Sequence, residues 1–135
     1  MATRSHIGKR NLDDTVDYIY CHWDGYPSNN GVILKDHYTT MDKVNELIEL
    51  GDLSSLNKNI GSKHDWSNPP EDECNAYGRD RGEKRAGARN KLFQDLLNDD
   101  NVDYVYVFDG DYWECYRTGD GELINLYEEY NSEMA

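Results

Sequence analysis

Val102-Asp103-Tyr104-Val105-Tyr106-Val107-Phe108-Asp109-Gly110-Asp111-Tyr112-Trp113-Glu114-Cys115-Tyr116-Arg117 is the stretch that decides how the chain is read. Val, Tyr, Phe and Trp suit a pleated, half-buried surface. Asp-Gly is a hairpin signal, because a two-residue turn needs positive φ and glycine adopts it without steric cost. The spacing predicts one strand over residues 102–108, a turn at Asp109-Gly110 and a return strand over residues 112–117. Gly119-Asp120-Gly121 then turns the chain into a third strand over residues 122–127, with an acidic tail from about residue 128.

Working towards the N-terminus, Leu92, Phe93, Leu96 and Leu97 give the second half of a helix over residues 83–98 a packing face. Its first half is basic and reads as solvated. Residues 52–80, with Pro69-Pro70, read as a mobile loop that Trp66 pins down. A further helix over residues 41–50 has Thr39 or Thr40 as cap, Met41, Val44, Leu47 and Ile48 as an apolar stripe and Gly51 as its stop. Residues 32–38 read as a short helix, with a strand as the alternative. Residues 15–23 alternate with Ile19, Cys21 and Trp23 on one side and Tyr18, Tyr20 and His22 on the other, which marks a central strand. Residues 4–9 read as a short strand. The expected fold is therefore a single α+β domain over residues 1–135. Its sheet is mainly antiparallel with four to five strands, and two or three helices pack on one face. Ile19, Trp23, Val44, Leu47, Ile48 and Leu96 are expected to be buried.

Charge narrows the function classes. The chain carries a net charge of −13, and residues 91–135 hold twelve acidic side chains against Lys91 and Arg117. Residues 79–91, in contrast, concentrate Arg79, Arg81, Lys84, Arg85, Arg89 and Lys91. Such a chain is repelled at long range by nucleic acid and by anionic lipid, so neither is an expected partner. Cys21, Cys74 and Cys115 form no Cys-x-x-Cys pair and read as free thiols in a reducing cytoplasm. With His22, His37 and His64 they lack zinc-ligand spacing, so no metal and no cofactor is expected. Asp99-Asp100-Asn101-Val102-Asp103 begins like a calcium loop but places Tyr104 and Gly110 where Gly and Glu are required.

Three clusters carry candidate chemistry. His22-Trp23-Asp24 pairs an imidazole with a carboxylate, an arrangement suited to proton transfer; the commoner reading packs His22 and Trp23 at a strand end, with Asp24 opening the turn. Arg79-Asp80-Arg81 beside Gly78 and Gly82 suits an arginine fork on a phosphate or carboxylate, or an internal ion pair leading into a helix. His22, Asp24, Tyr26, Arg79 and Arg81 together make an alternative small-ligand, nucleotide or catalytic pocket. The third cluster is aromatic and acidic: Tyr112 and Tyr116 with Asp109, Asp111, Glu114 and Asp120. If the faces bearing Tyr18 with Tyr20 and Tyr104 with Tyr106 coincide with theirs, the sheet presents a tyrosine-and-carboxylate surface suited to a basic partner. Cross-strand aromatic packing is the structural alternative.

Thr3-Arg4-Ser5-His6-Ile7-Gly8 and Ile19-Tyr20-Cys21-His22-Trp23-Asp24-Gly25-Tyr26-Pro27 resemble a family of small tailed-bacteriophage proteins. Gly31, His37-Tyr38-Thr39, Leu50-Gly51-Asp52-Leu53, Arg79-Asp80-Arg81-Gly82-Glu83 and Phe108-Asp109-Gly110 with Trp113 extend the resemblance over most of the chain. It carries over no catalytic residue. It implies a protein made in the bacterial host cytoplasm during infection. The leading expectation is a binding protein rather than an enzyme. It would mask a basic surface on a host protein, such as a nucleic-acid-binding or defence enzyme, with DNA mimicry as one version. An enzyme or small-ligand binder, and a structural or accessory phage component, are the alternatives.

Overall fold

A computed structural model describes residues 2–126, so the acidic tail expected from about residue 128 lies outside the described residues. The strands are β1 (Ser5–Arg10), β2 (Thr15–Cys21), β3 (Leu53–Ser55), β4 (Asn75–Ala76), β5 (Arg89–Leu92), β6 (Tyr104–Phe108), β7 (Trp113–Arg117) and β8 (Leu123–Ile124). The helices are α1 (Val32–His37), preceded by a π-helical turn over Pro27–Gly31, α2 (Met41–Leu50), α3 (Tyr77–Arg81) and α4 (Phe93–Leu97).

All eight strands join one mixed sheet in the order β4-β3-β2-β1-β6-β7-β8, with β5 also paired to β2. This overturns the expected sheet of four to five mainly antiparallel strands. β1 lies parallel to β6, from Ser5 opposite Tyr104 to Lys9 opposite Phe108, and β2 pairs parallel with β3 at Cys21 and Leu53. Hairpin signals report only neighbours in sequence, whereas the β1–β6 ladder joins segments about a hundred residues apart.

Helices cover both faces, not one. On the first face, Ile7, Ile19, Cys21, Tyr106, Phe108, Trp113 and Cys115 from the strands meet Leu34 and Tyr38 of the α1 region and Val44, Leu47 and Ile48 of α2. On the second, Val16, Tyr18, Val105 and Val107 meet Phe93, Leu96 and Leu97 of α4. Each fully buried Leu, Ile or Val contributes about 1.5–3 kcal/mol. Three buried ring tips are satisfied: Tyr106 Oη donates to the Gly25 carbonyl at 2.6 Å, Tyr38 Oη to the Asn57 carbonyl at 2.7 Å, and Trp113 Nε1 to the Tyr38 carbonyl at 2.8 Å.

α2 forms where its caps place it. The Thr40 hydroxyl accepts the Lys43 N–H, and Gly51 ends the helix at φ 86°, where an added Cβ would lie 2.2 Å from the Ala86 carbonyl oxygen. Ile19, Val44, Leu47, Ile48 and Leu96 are buried. Trp23 is not; it is 46% exposed. β2 ends at Cys21, and the N–H groups of His22 and Trp23 turn aside to the carbonyls of Leu53 and Ser54, so the alternation no longer applies to Trp23. The expected helix over residues 83–98 is also shortened. Arg89–Leu92 are extended and pair antiparallel with Thr15–Tyr18, leaving only Phe93–Leu97 helical.

Residues 52–80 contain β3, β4 and most of α3, and a polar network ties them together. Asp80 Oδ1 and Oδ2 accept from Arg79, from the His64 N–H and from the Ala76 N–H, while Arg79 also donates to the carbonyls of Ile60 and Cys74.

Candidate functional site

The acidic candidates sit around the β6–β7 hairpin and the β7–β8 turn, at the sheet edge opposite β3, β4 and β5. Asp109 Oδ1 accepts the N–H groups of Asp111 and Tyr112, so this carboxylate builds its own turn. Asp120 does the same for the Glu122 N–H and also pairs with Arg117; both interactions hold its carboxyl below the ordinary range. Arg117 is the one basic side chain among the described residues after Lys91, and it is engaged by both Asp120 and Glu122. Asp111 is exposed and Glu114 half-buried.

Tyr112 and Tyr116 separate. Tyr112 stands outside the ladder and is 62% exposed. Tyr116 pairs with Val105 and meets the Phe93 ring edge-on at 5.0 Å, so it packs on the second core. A groove of about 230 Å³ opens beside Tyr112, lined also by Asp109, Trp113, Glu114, Leu123 and Leu126. Leu123 is itself 54% exposed. The expected common tyrosine surface does not form. Tyr106 belongs to the first core and Tyr18 to the second, so the two pairs lie on opposite faces of the sheet.

Among the described residues no direct contact joins His22, Asp24 and Tyr26 to Arg79 and Arg81. His22 Nδ1 is hydrogen-bonded to Tyr20 Oη at 2.7 Å, and its ring meets Trp23 at 4.7 Å, rather than engaging Asp24. Asp24 takes φ 56° and offers its carbonyl to the Asn29 side chain, which fits the turn-opening role. Tyr26 is exposed. Arg79 is consumed by Asp80 and the loop carbonyls. Arg81 lies over the rings of Trp66 and Tyr77 at 5.2 and 5.9 Å and pairs with Glu83.

Sequence reasoning missed two features of the second face. Asp52 stands in the stretch that reads as a loop, yet its carboxylate receives both the Tyr20 N–H and a two-pronged Arg89 contact. His6 is buried between Tyr18 and Tyr20, with ring centroids at 4.8 and 6.3 Å, and its Nδ1 lacks a hydrogen-bond partner among the described residues. Asp99 lies 3.9 Å away. Burial drives His6 down to about 4, Asp99 opposing and Arg89 reinforcing the shift. The signal that finds His6 is alternation within a β1–β2 pair, in which His6 shares a side with Tyr18 and Tyr20.

The three cysteines are buried and form no disulfide among the described residues, and burial pushes Cys21 up to about 12. Among the described residues no three His, Cys, Asp or Glu side chains are grouped to hold a metal, and no helix is long and apolar enough to cross a membrane. No family model, no curated protein and no solved structure matches this chain.

Proposed function

We propose that the protein is a small acidic binding module whose β7–β8 edge docks on a basic surface of another protein. The observation that carries this reading is the groove at that edge, where exposed Tyr112 and Leu123 stand beside Asp109 and Glu114. An exposed aromatic with an apolar neighbour supplies contact area, and surrounding carboxylates supply orientation and encounter rate. The resemblance to tailed-bacteriophage proteins supports a host protein as the target, with a nucleic-acid-binding or defence enzyme as its class.

The opposed charge of the two sheet edges adds to this. Arg81, Lys84, Arg85, Arg89 and Lys91 lie on the β4–β5 side, so Arg117, paired with Asp120 and Glu122, is the one basic side chain of the described residues after Lys91 that offsets the acidic edge. The test is capture of partners by tagged protein from infected bacterial cells, at low and high salt, beside a variant with Asp109, Asp111, Glu114 and Asp120 changed to amides. A partner with a basic surface that the wild type retains at low salt and the variant loses supports the reading. A partner held equally by both proteins defeats it.

A further inference from the structure

α4 covers only part of the second face. Phe93, Leu96 and Leu97 pack over Val16, Tyr18, Val105 and Val107, leaving the β2–β3 end open. On that end Tyr20 and His22 are half-buried and Trp23 is exposed, three rings in sequence at centroid distances of 6.0 and 4.7 Å. Ser54, whose carbonyl accepts the Trp23 N–H, lies on β3, and β3 pairs with β4 directly before Tyr77, which belongs to a second ring pair. Trp66 and Tyr77 meet there at 5.0 Å with Arg81 above them.

Cations border these rings. Alternation carries Arg4 to the side of the sheet that holds His6, and its charge acts on the Tyr20 phenol. Arg4 is exposed; its N–H is donated to the Asp103 carboxylate and its carbonyl accepts the Asp103 N–H, while its guanidinium makes no hydrogen bond or ion pair among the described residues. Arg81 is held by an exposed pair with Glu83, which contributes little and exchanges readily.

From these rings and cations we infer that the open half of the second face, built on Trp23, His22, Tyr20 and Arg4 with Trp66 and Arg81 across Ser54, binds a free mononucleotide. Aromatic side chains stack on any base because every base has a π-face, and guanidinium groups take phosphate oxygens in a fork. An anionic ring compound fits both features, whereas a cation would meet Arg4 and Arg81. The net charge of −13 selects the small anion over a strand, since repulsion grows with each added phosphate. Trp23, Trp66 and Arg81 lie towards the β3–β4 edge of the sheet, away from the β7–β8 edge that carries the acidic cluster.

The indole N–H groups test the site directly. The full ¹⁵N-labelled chain is titrated with adenosine 5′-monophosphate to about 10 mM, a range that reads even millimolar binding. Trp23 and Trp66 signals should shift and saturate, whereas Trp113, buried with its N–H on the Tyr38 carbonyl, should stay in place. Trp23→Ala should weaken binding about tenfold, the size of one base–aromatic stack. Arg4→Gln should weaken the nucleotide but leave adenosine unchanged, and a thermal melt matching wild type shows that each variant folds. Four results overturn the inference: no saturable shift, equal binding of ribose 5-phosphate, nucleotide binding indifferent to both variants, or binding of an oligothymidylate without the mononucleotide. Amide substitution of the acidic edge should leave the titration unchanged.

Discussion

The Asp52 carboxylate accepts the Tyr20 backbone N–H at 2.9 Å, closing a gap in the outer edge of β2. That edge is shared by two short strands. β5 pairs with Thr15–Tyr18 and β3 joins at Cys21, so Tyr20 meets neither. A side chain thereby completes a ladder that backbone leaves open, and the same oxygens receive Arg89. Buried N–H groups are costly to orphan, which makes Asp52 a structural hub.

Asp52→Ala should therefore cost about 2–3 kcal/mol, because it orphans the Tyr20 N–H and leaves Arg89 without its carboxylate. Asp52→Asn keeps an oxygen for the N–H and should cost less than half of that. Urea denaturation of the three proteins at pH 7 measures both. Equal losses for Ala and Asn would show that the N–H bond is not what Asp52 provides.

His6 predicts a pH dependence whose sign is fixed by burial. Its folded pKa of about 4 lies below the ordinary 6.5, so the neutral ring is the native form. Above pH 6.5 both states leave it neutral and the contribution is fully present. As pH falls from 6.5 towards 4 the unfolded chain takes up a proton that the native state refuses, and stability drops by up to about 3 kcal/mol. Asp99 and Asp52 favour the charged ring, Arg89 and Lys91 oppose it, and Tyr18 and Tyr20 flank it. His6→Leu should flatten the stability profile between pH 6.5 and 4.5. An unchanged slope in that variant would assign the acid sensitivity elsewhere.

Arg79 separates a structural arginine from a catalytic one. Its guanidinium holds Asp80 through Nε at 2.9 Å and the carbonyls of Ile60 and Cys74 at 2.8 and 2.9 Å. Burial pushes the Asp80 carboxyl up, and Arg79 with the Ala76 and His64 N–H groups more than reverses that. Arg79→Ala should cost about 3 kcal/mol and raise hydrogen exchange across residues 57–76, since one partner of a buried pair is left behind. A variant as stable as wild type, with exchange unchanged, would return Arg79 to the ligand-binding candidates.

Local signals in the sequence were legible and distant ones were not. α2 could be read because its cap, apolar stripe and stop all lie within a dozen residues, and the β6–β7 hairpin because Asp109-Gly110 joins its strands. β5 was hidden: Arg89, Asn90, Lys91 and Leu92 are all exposed and show no alternation, and their extended form comes from pairing with β2. The parallel β1–β6 ladder has no local signature at all. The candidate sites follow the same rule. The groove beside Tyr112 arises from one hairpin and its next turn, so Asp109, Tyr112 and Glu114 could be named together. Asp52, His6 and the open aromatic half-face depend on which strands become neighbours.

The acidic edge and its tyrosines should respond differently to substitution. If the edge meets a basic partner, opposite potentials speed encounter, and affinity weakens as the Debye length falls from about 10 Å at 0.1 M salt to about 3 Å at 1 M. Changing Asp109, Asp111, Glu114 and Asp120 to amides should then slow association. Their amide oxygens still accept the Tyr112 and Glu122 N–H groups, so the turns persist. Tyr112→Ala removes an exposed ring beside the groove and should chiefly speed dissociation, with stability changed by less than about 0.5 kcal/mol. Tyr116→Ala should do the reverse. Its ring packs on Phe93, so it should lower stability by about 2–3 kcal/mol and leave the association rate alone. Stopped-flow association with the captured partner, beside urea melts of each variant, separates these outcomes. An association rate indifferent to salt and to the four amides would remove the acidic edge from the interface, whatever Tyr112 does.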